Sequence, residues 1–372
     1  MKPDEWLDVI FDKACKAPSK SRIHNDAIRE RIEFVRRCMS NRAGVRLLMS
    51  CLLGKLDKPS VDPRKPYTEI NGKDCFSGRA YDEQYITAFI NRHHLPANQT
   101  TAFLTPTLRN IAHPLTTGIE LVGRPRELYQ KTLQLLEDVA ENRITAKEVF
   151  VDIVRNLINI RDEQQARINS LLESLKRSNG VLEPSSEDIV TLIRQHLACK
   201  NSSRLPVLVI AAAYQAVGTH FSETILPLKS HNAADLQTGA LGDVEVCLKN
   251  DNEIATVYEM KMKRVTREDI DAAILKIARS APRIQNYIFI TTDVIEPSIS
   301  KYAADCYERT DGVEIAILDC IGFLRHFLHF FHRYRSLYLD SYQKLLLSEA
   351  DSAVSQALKE AFLALRHSAE SD

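Results

Sequence analysis

The spacing of apolar and polar residues predicts a helical first half of the chain. Residues 57–78 are rich in Pro, Lys, Asp and Gly, which predicts a loop. Apolar residues recur at three- and four-residue intervals, the periodicity of amphipathic helices, over 5–16, 26–39, 42–56, 81–91, 126–141 and 145–176. The first 180 residues are therefore expected to be mainly helical.

The second half alternates between helical and strand-like patterns. Residues 243–248 and 255–263 alternate polar and apolar side chains, and the short polar run 249–253 between them predicts an antiparallel hairpin. Further strands are predicted at 225–229, 287–291 and 313–318. Helices are predicted at 187–199, 206–217, 266–281, 298–309 and over much of 320–366. This order predicts an α/β fold in which helices flank a mixed sheet.

The stretch 177–186 combines Gly, Pro and Ser between two periodic segments and is the best candidate for a domain boundary. We expect a mainly helical region over 1–180, an α/β core over 181–345 and a C-terminal helix over 346–372.

Composition narrows the class of protein. The 49 basic and 49 acidic side chains give no net charge, so a globally basic nucleic-acid binder is excluded, whereas a single basic cleft is not. The eight cysteines are scattered without a C-x-x-C pair, which argues against a zinc site and a disulfide framework. The N-terminus lacks a signal-peptide pattern and no apolar run could span a bilayer. We expect a soluble, cytoplasmic protein.

The predicted hairpin carries the candidate chemistry. Glu259 and Lys261 are two residues apart on one strand and so project from the same face, and Asp243 begins the partner strand. Two converging carboxylates suit a hard cation such as Mg²⁺. We predict that Asp243 and Glu259 bind Mg²⁺ together with the backbone carbonyl of Met260. Lys261 would orient the attacking water and offset negative charge in phosphodiester hydrolysis.

Taken alone, an Asp followed at loose spacing by Glu-x-Lys is weak evidence for a catalytic site. The alternative interpretation is a strand face whose charged side chains are simply solvated. Two features strengthen the catalytic interpretation. Glu259-Met260-Lys261 is the only acidic-x-Lys tripeptide in the chain, and it lies on the second arm of a predicted hairpin.

The segments Gly242-Asp243-Val244-Glu245-Val246 and Tyr258-Glu259-Met260-Lys261 resemble the PD-(D/E)XK nuclease superfamily, particularly its type II restriction endonucleases. The family's Pro before the Asp is replaced here by Gly242. The resemblance implies a sheet-centred nuclease core, a divalent metal and catalytic roles for Asp243, Glu259 and Lys261. It also implies a homodimer that cleaves duplex DNA to leave 5′-phosphates, and a partner DNA methyltransferase. An additional acidic residue is not assigned; Glu245 and Glu223 are the candidates.

Several residues are candidates for DNA contact. The loop 230–242 leads into Asp243 and is either a base-reading loop or an ordinary surface loop. Its candidates are Asn232, Asp235, Gln237 and Thr238. Basic residues beyond the site are either phosphate clamps or solvated surface groups; these are Lys263, Arg264 and Arg267, with Lys73 and Arg79 in the first half.

The sequence therefore predicts a Mg²⁺-dependent, site-specific endodeoxyribonuclease of the type II restriction class, with the helical region contributing recognition and dimerisation. Two alternatives stay open: a repair or structure-specific nuclease with the same core, and a catalytically inactive DNA-binding module of the same fold.

Overall fold

The structure, a computed structural model, describes residues 1–16, 23–38, 41–98, 100–177, 183–218, 220, 222–228, 241–249, 253–279 and 284–371. It divides into two compact units, Met1–Ala166 and Arg167–Asp372. Among the described residues, no helix combines the length and apolar character needed to cross a bilayer.

The first unit is helical. Its helices are α1 (Pro3–Lys16), α2 (Asp26–Arg37), α3 (Ala43–Asp57), α4 (Gly78–Tyr81), α5 (Thr87–Arg92), α6 (Arg126–Ala140) and the start of α7 (Ala146–Arg177), with a π-helical turn at Asp82–Ile86 and 3₁₀ turns at Thr68–Ile70 and Ala102–Leu104. At the start of α7, the side chains of Thr145 and Glu148 each accept the other residue's backbone N–H, so the predicted capping box is present.

The core of the first unit is built around α3, most of whose residues are buried. This helix also carries a buried ion pair: Arg46, 1% exposed, donates from Nε to the carboxylate of Asp82 at 2.6 Å. The same carboxylate accepts from the hydroxyl of Thr101 at 2.8 Å. A buried ion pair is tolerated when further hydrogen bonds satisfy both groups, as they do here.

The second unit contains the sheet. Its strands are β1 (Glu223–Ile225), β2 (Val244–Leu248), β3 (Ile254–Lys261), β4 (Asn286–Thr291) and β5 (Glu314–Asp319). They lie side by side in the order β1-β2-β3-β4-β5. The first three strands are antiparallel neighbours, and β3, β4 and β5 run parallel. The predicted hairpin is thus formed by β2 and β3.

Helices cover both faces of this sheet. They are the end of α7, α8 (Ser186–Leu197), α9 (Leu205–Val217), α10 (Arg267–Arg279), α11 (Pro297–Ala304), α12 (Cys320–Phe330), α13 (Arg335–Ser348) and α14 (Gln356–Ser371), with 3₁₀ turns at Glu308–Thr310 and His332–Tyr334. One face of β2 and β3 packs into a core shared with α8, α9 and α12 to α14. On the other face of the sheet, β3, β4 and β5 pack against α10 and α11. The predicted α/β class, with helices flanking a mixed sheet, is confirmed.

The edge strand β1 begins and ends earlier than the sequence pattern predicts. The sequence pattern put it at 225–229, whereas β1 spans Glu223–Ile225 and ends where that prediction begins. The Leu226 N–H still donates to the carbonyl of Glu245 at 2.8 Å. The next residue, Pro227, has no N–H with which to extend the ladder. The backbone pairing with β2 therefore ends at Leu226, before Pro227.

Candidate active site

The side chains of Glu259 and Lys261 meet at the carboxyl end of β3. Lys261 Nζ lies 2.9 Å from Glu259 Oε1. Residues two apart on a strand project from one face, and this contact shows that both do so here. The pairing also keeps them partly withdrawn from water, with 27% of the Lys261 side chain and 17% of the Glu259 side chain exposed.

Asp243 lies beside these residues on the neighbouring chain segment. Its N–H donates to the carbonyl of Tyr258 at 2.8 Å, and its Oδ2 accepts the N–H of Met260 at 2.8 Å. The register pairs Val244 with Tyr258, so its continuation sets Asp243 across from Glu259. The structure thus brings the two predicted carboxylates to the same end of the sheet, with Asp243 exposed to solvent. Met260 is held there through its amide.

Gly242 enables the close approach of this segment to β3. A Cβ at Gly242 would lie 2.7 Å from the carbonyl oxygen of Tyr258 and 2.5 Å from a methyl carbon of Val257. Real Cβ atoms do not approach backbone that closely, so any larger side chain would push the segment away. This contact explains why a glycine precedes Asp243 in this chain.

Three residues that sequence reasoning missed complete the cluster. Lys276 Nζ, from α10, lies 3.0 Å from Glu259 Oε2, and the hydroxyl of Tyr287, from β4, donates to the same oxygen. Asp269 Oδ1 lies 3.0 Å from Lys261 Nζ. Asp269 had one usable signal, because Thr266-x-x-Asp269 is a capping pattern, and the Asp269 carboxylate does accept the Thr266 N–H at 2.9 Å.

The charges in this cluster determine one another's ionisation. Burial alone would raise the pKa of Glu259, but hydrogen bonds from Tyr287 and Lys261 and the charge of Lys276 bring it below its usual value. Burial likewise opposes the charge on Lys261, yet its contacts with Glu259 and Asp269 raise its pKa above the usual value. Glu259 is therefore ionised and Lys261 is an ammonium ion at neutral pH. Lys261 can orient and attract, but it cannot accept a proton.

The two candidates for an additional acid lie in different places. Glu245 is only 5% exposed, and its Oε1 accepts the N–H of Leu241 at 2.7 Å, so it supports the segment that leads to Asp243. Glu223 pairs in β1 with Leu248, at the end of β2 remote from Asp243. The structure therefore does not bring Glu223 to the cluster.

The basic residues beyond β3 have local contacts. Arg264 pairs with Glu296 at 2.8 Å, the guanidinium of Arg267 lies 5.0 Å from the centre of the Tyr302 ring, and Lys263 is exposed. In the first unit, Lys73 is exposed and Arg79 pairs with Glu83 at 2.7 Å. The remaining DNA-contact candidates lie outside the described residues: Asn232, Asp235, Gln237 and Thr238.

A family comparison bears on this cluster. Residues 183–292 match the model of the SacI restriction endonuclease C-terminal domain. The match covers fewer than half of the residues of the chain, but it spans β1 to β4 and every member of the Glu259 cluster. No curated protein matches the chain.

The donor set of this SacI-like segment suits magnesium. Asp243 and Glu259 offer carboxylate oxygens from adjacent strands, and Mg²⁺ commonly uses one or two carboxylates while keeping several waters. The exposure of Asp243 leaves space for such waters. Over the described ranges, no group of three or more His, Cys, Asp or Glu side chains is arranged to bind a metal. Water, substrate oxygens and the backbone carbonyl of Met260 are the candidates for the remaining ligands.

Proposed function

We propose that the chain is a Mg²⁺-dependent endodeoxyribonuclease of the type II restriction class, with a PD-(D/E)XK core. The observation that carries the proposal is the convergence of Asp243, Glu259 and Lys261 at one end of the sheet. The match to a restriction endonuclease domain over 183–292 supports it independently, because that segment contains all three residues.

Each residue has a role in hydrolysing a phosphodiester. Asp243 and Glu259 would hold Mg²⁺, with the Met260 carbonyl as a third candidate ligand. When bound, Mg²⁺ supplies positive charge to the attacked phosphate and makes water easier to deprotonate. Lys261, an ammonium ion next to Glu259, orients the attacking water and offsets the charge that grows on the phosphate. Asp269 gives the Lys261 ammonium group a second carboxylate partner at 3.0 Å.

We further propose duplex DNA as the substrate and 5′-phosphates as the product ends. A homodimer suits the reading of a palindromic site, since a two-fold protein matches a two-fold sequence. As in other restriction systems, a DNA methyltransferase would protect the host genome. These partners place the proposed activity in the cytoplasm.

The decisive experiment incubates the purified protein with supercoiled plasmids of known sequence, with Mg²⁺ or with EDTA. We expect discrete, Mg²⁺-dependent bands, with end mapping that returns one repeated site. A smear, or cleavage only of branched DNA, would contradict site specificity. DNA binding without any strand breakage would contradict the enzyme.

The same assay tests the assigned residues. Lys261→Met should reduce the cleavage rate by about a hundredfold or more while DNA binding is retained, because the lost cation acts on the transition state. Lys301→Met is the matched control, because Lys301 is an exposed lysine on α11 outside the cluster. Equal cleavage by the two variants would remove Lys261 from the mechanism.

A further inference from the structure

The two oxygens of the Glu259 carboxylate have different partners. Oε1 faces Lys261, whose ammonium group also contacts Asp269. Oε2 is held by Lys276 and by the hydroxyl of Tyr287. A carboxylate oxygen with two donors already on it is poorly available to a cation, so Oε1 is the oxygen that a metal would reach.

Positive side chains already offset the negative charge of Glu259 before a metal ion binds. Glu259 is flanked by two ammonium groups, and the Lys276 side chain is only 29% exposed, so solvent does not fully screen it. Lys261 can move away from Oε1 and keep Asp269 as its partner. Lys276 contacts the oxygen that the metal does not need, so it can stay in place and repel a divalent cation bound to Oε1.

We propose that Lys276 is a positioning residue that fixes Glu259 Oε2 within the protein and lowers the affinity of the Asp243–Glu259 pair for a divalent cation. The inference rests on the proposed function, in which this pair binds Mg²⁺. Its consequence is that the cation binds tightly only where further negative charge, such as a DNA phosphate, is brought to the site.

The sign of the effect distinguishes this role from a structural one. Removing Lys276 deletes one positive charge close to the bound cation and should strengthen binding. A lysine that only supported the fold would leave binding unchanged when removed, or would weaken it by loosening Glu259. Neighbouring charges of this kind shift ionisation equilibria by about tenfold or more, so we expect an effect of at least that size.

The test measures Ca²⁺ binding to the full chain without DNA by titration calorimetry, at about pH 8. Lys276→Met should bind Ca²⁺ about tenfold more tightly than the wild type. Lys276→Arg, which keeps the charge, should stay near the wild-type affinity. Lys301→Met removes the charge of an exposed lysine outside the cluster and should also have no effect. Asp243→Asn removes one of the two proposed carboxylate ligands, so any Ca²⁺ binding that this variant retains is binding elsewhere on the surface.

Tyr287→Phe separates charge from hydrogen bonding. It removes the other donor to Glu259 Oε2 but no charge, so Ca²⁺ affinity should fall or stay constant and should not rise. If Lys276→Met does not fold, the inference can still be tested with Tyr287→Phe and Lys276→Arg. Neither of these variants should bind Ca²⁺ more tightly than the wild type.

Two results overturn the inference in distinguishable ways. The first requires that the wild type bind Ca²⁺ saturably. If Lys276→Met then binds Ca²⁺ no more tightly than the wild type, or if Tyr287→Phe or Lys276→Arg binds it more tightly, the role of Lys276 is refuted. The nuclease proposal is left intact. The second concerns the metal site itself. If neither the wild type nor Lys276→Met binds Ca²⁺ at a site that Asp243→Asn weakens, the metal site is refuted.

Discussion

At the scale of single residues, the protein stabilises buried or partly buried titratable groups in two different ways. The Glu259 carboxylate stays charged because cations and a phenol contact it. His196, in contrast, stays neutral in the core of the second unit. Its Nδ1 lies 3.0 Å from the hydroxyl of Tyr342 and its Nε2 lies 3.0 Å from the carbonyl of Leu358. A carbonyl only accepts, so Nε2 carries the proton and Nδ1 accepts from Tyr342.

This arrangement predicts an acid-sensitive fold. Burial lowers the pKa of His196 to about 4, and the hydrogen bond to Leu358 only partly opposes the shift. The unfolded chain then binds a proton more readily than the folded one, so stability is complete above the unfolded pKa of 6.5 and is lost as pH falls towards 4. Chemical denaturation should show that His196→Gln removes about 2 kcal/mol of the decline in unfolding free energy between neutral pH and pH ~4.5.

His332→Gln provides the control for that measurement. His332 is exposed in the same unit, so its replacement should leave the pH dependence of the unfolding free energy unchanged. An identical decline in the wild type and in His196→Gln would mean that His196 does not contribute to acid sensitivity.

At the scale of elements, the hairpin of β2 and β3 positions the proposed catalytic residues, and its geometry depends on Gly242. Gly242→Ala would force the new methyl group against the Tyr258 carbonyl and the Val257 side chain. We expect a loss of about 1–3 kcal/mol in unfolding free energy, typical of overpacking. Cleavage should fall as well, because Asp243 follows directly and would move from Met260. Thermal denaturation and the plasmid assay measure the two effects.

Gly118→Ala is the matched substitution. The nearest atom to a Cβ there is the Thr116 hydroxyl oxygen, at 4.0 Å, so neither stability nor cleavage should change much. Equal behaviour of the two alanine variants would show that the tight approach at Gly242 is not required.

The secondary-structure elements also show which features of the site can be predicted from sequence patterns. Strict alternation located β2 and β3, and strand periodicity put Glu259 and Lys261 on one face, because both are local properties of the chain. Lys276 and Tyr287 were not predictable in this way. Tyr287 opens a continuous apolar run that indicates a buried strand, and Lys276 is one cation on an amphipathic helix. Their roles arise only when β4 and α10 pack beside β3.

At the scale of the whole molecule, the number of proposed catalytic sets determines how the proposed nuclease would cut a duplex. The sequence contains one acidic-x-Lys tripeptide, Glu259-Met260-Lys261. In the proposed nuclease, one such set would hydrolyse one strand at a time, so we expect a double-strand cut at a palindromic site to need two copies of the chain, each acting on one strand. The division into two units is compatible with that arrangement, since a separate helical unit could contribute to recognition or to dimerisation.

Mixed dimers provide the test. Wild-type protein and Lys261→Met, carrying different affinity tags, are refolded or co-expressed together, and the doubly tagged species is isolated. Sedimentation should give twice the chain mass of 42.2 kDa for this species. On supercoiled plasmid it should produce mainly nicked circles, because one of its two sites would lack the cation that we propose assists phosphate attack. The wild-type dimer should linearise the same plasmid. If instead the mixed species linearised plasmid as readily as the wild type, a single chain would be cutting both strands in turn, and the two-fold arrangement would have to be abandoned.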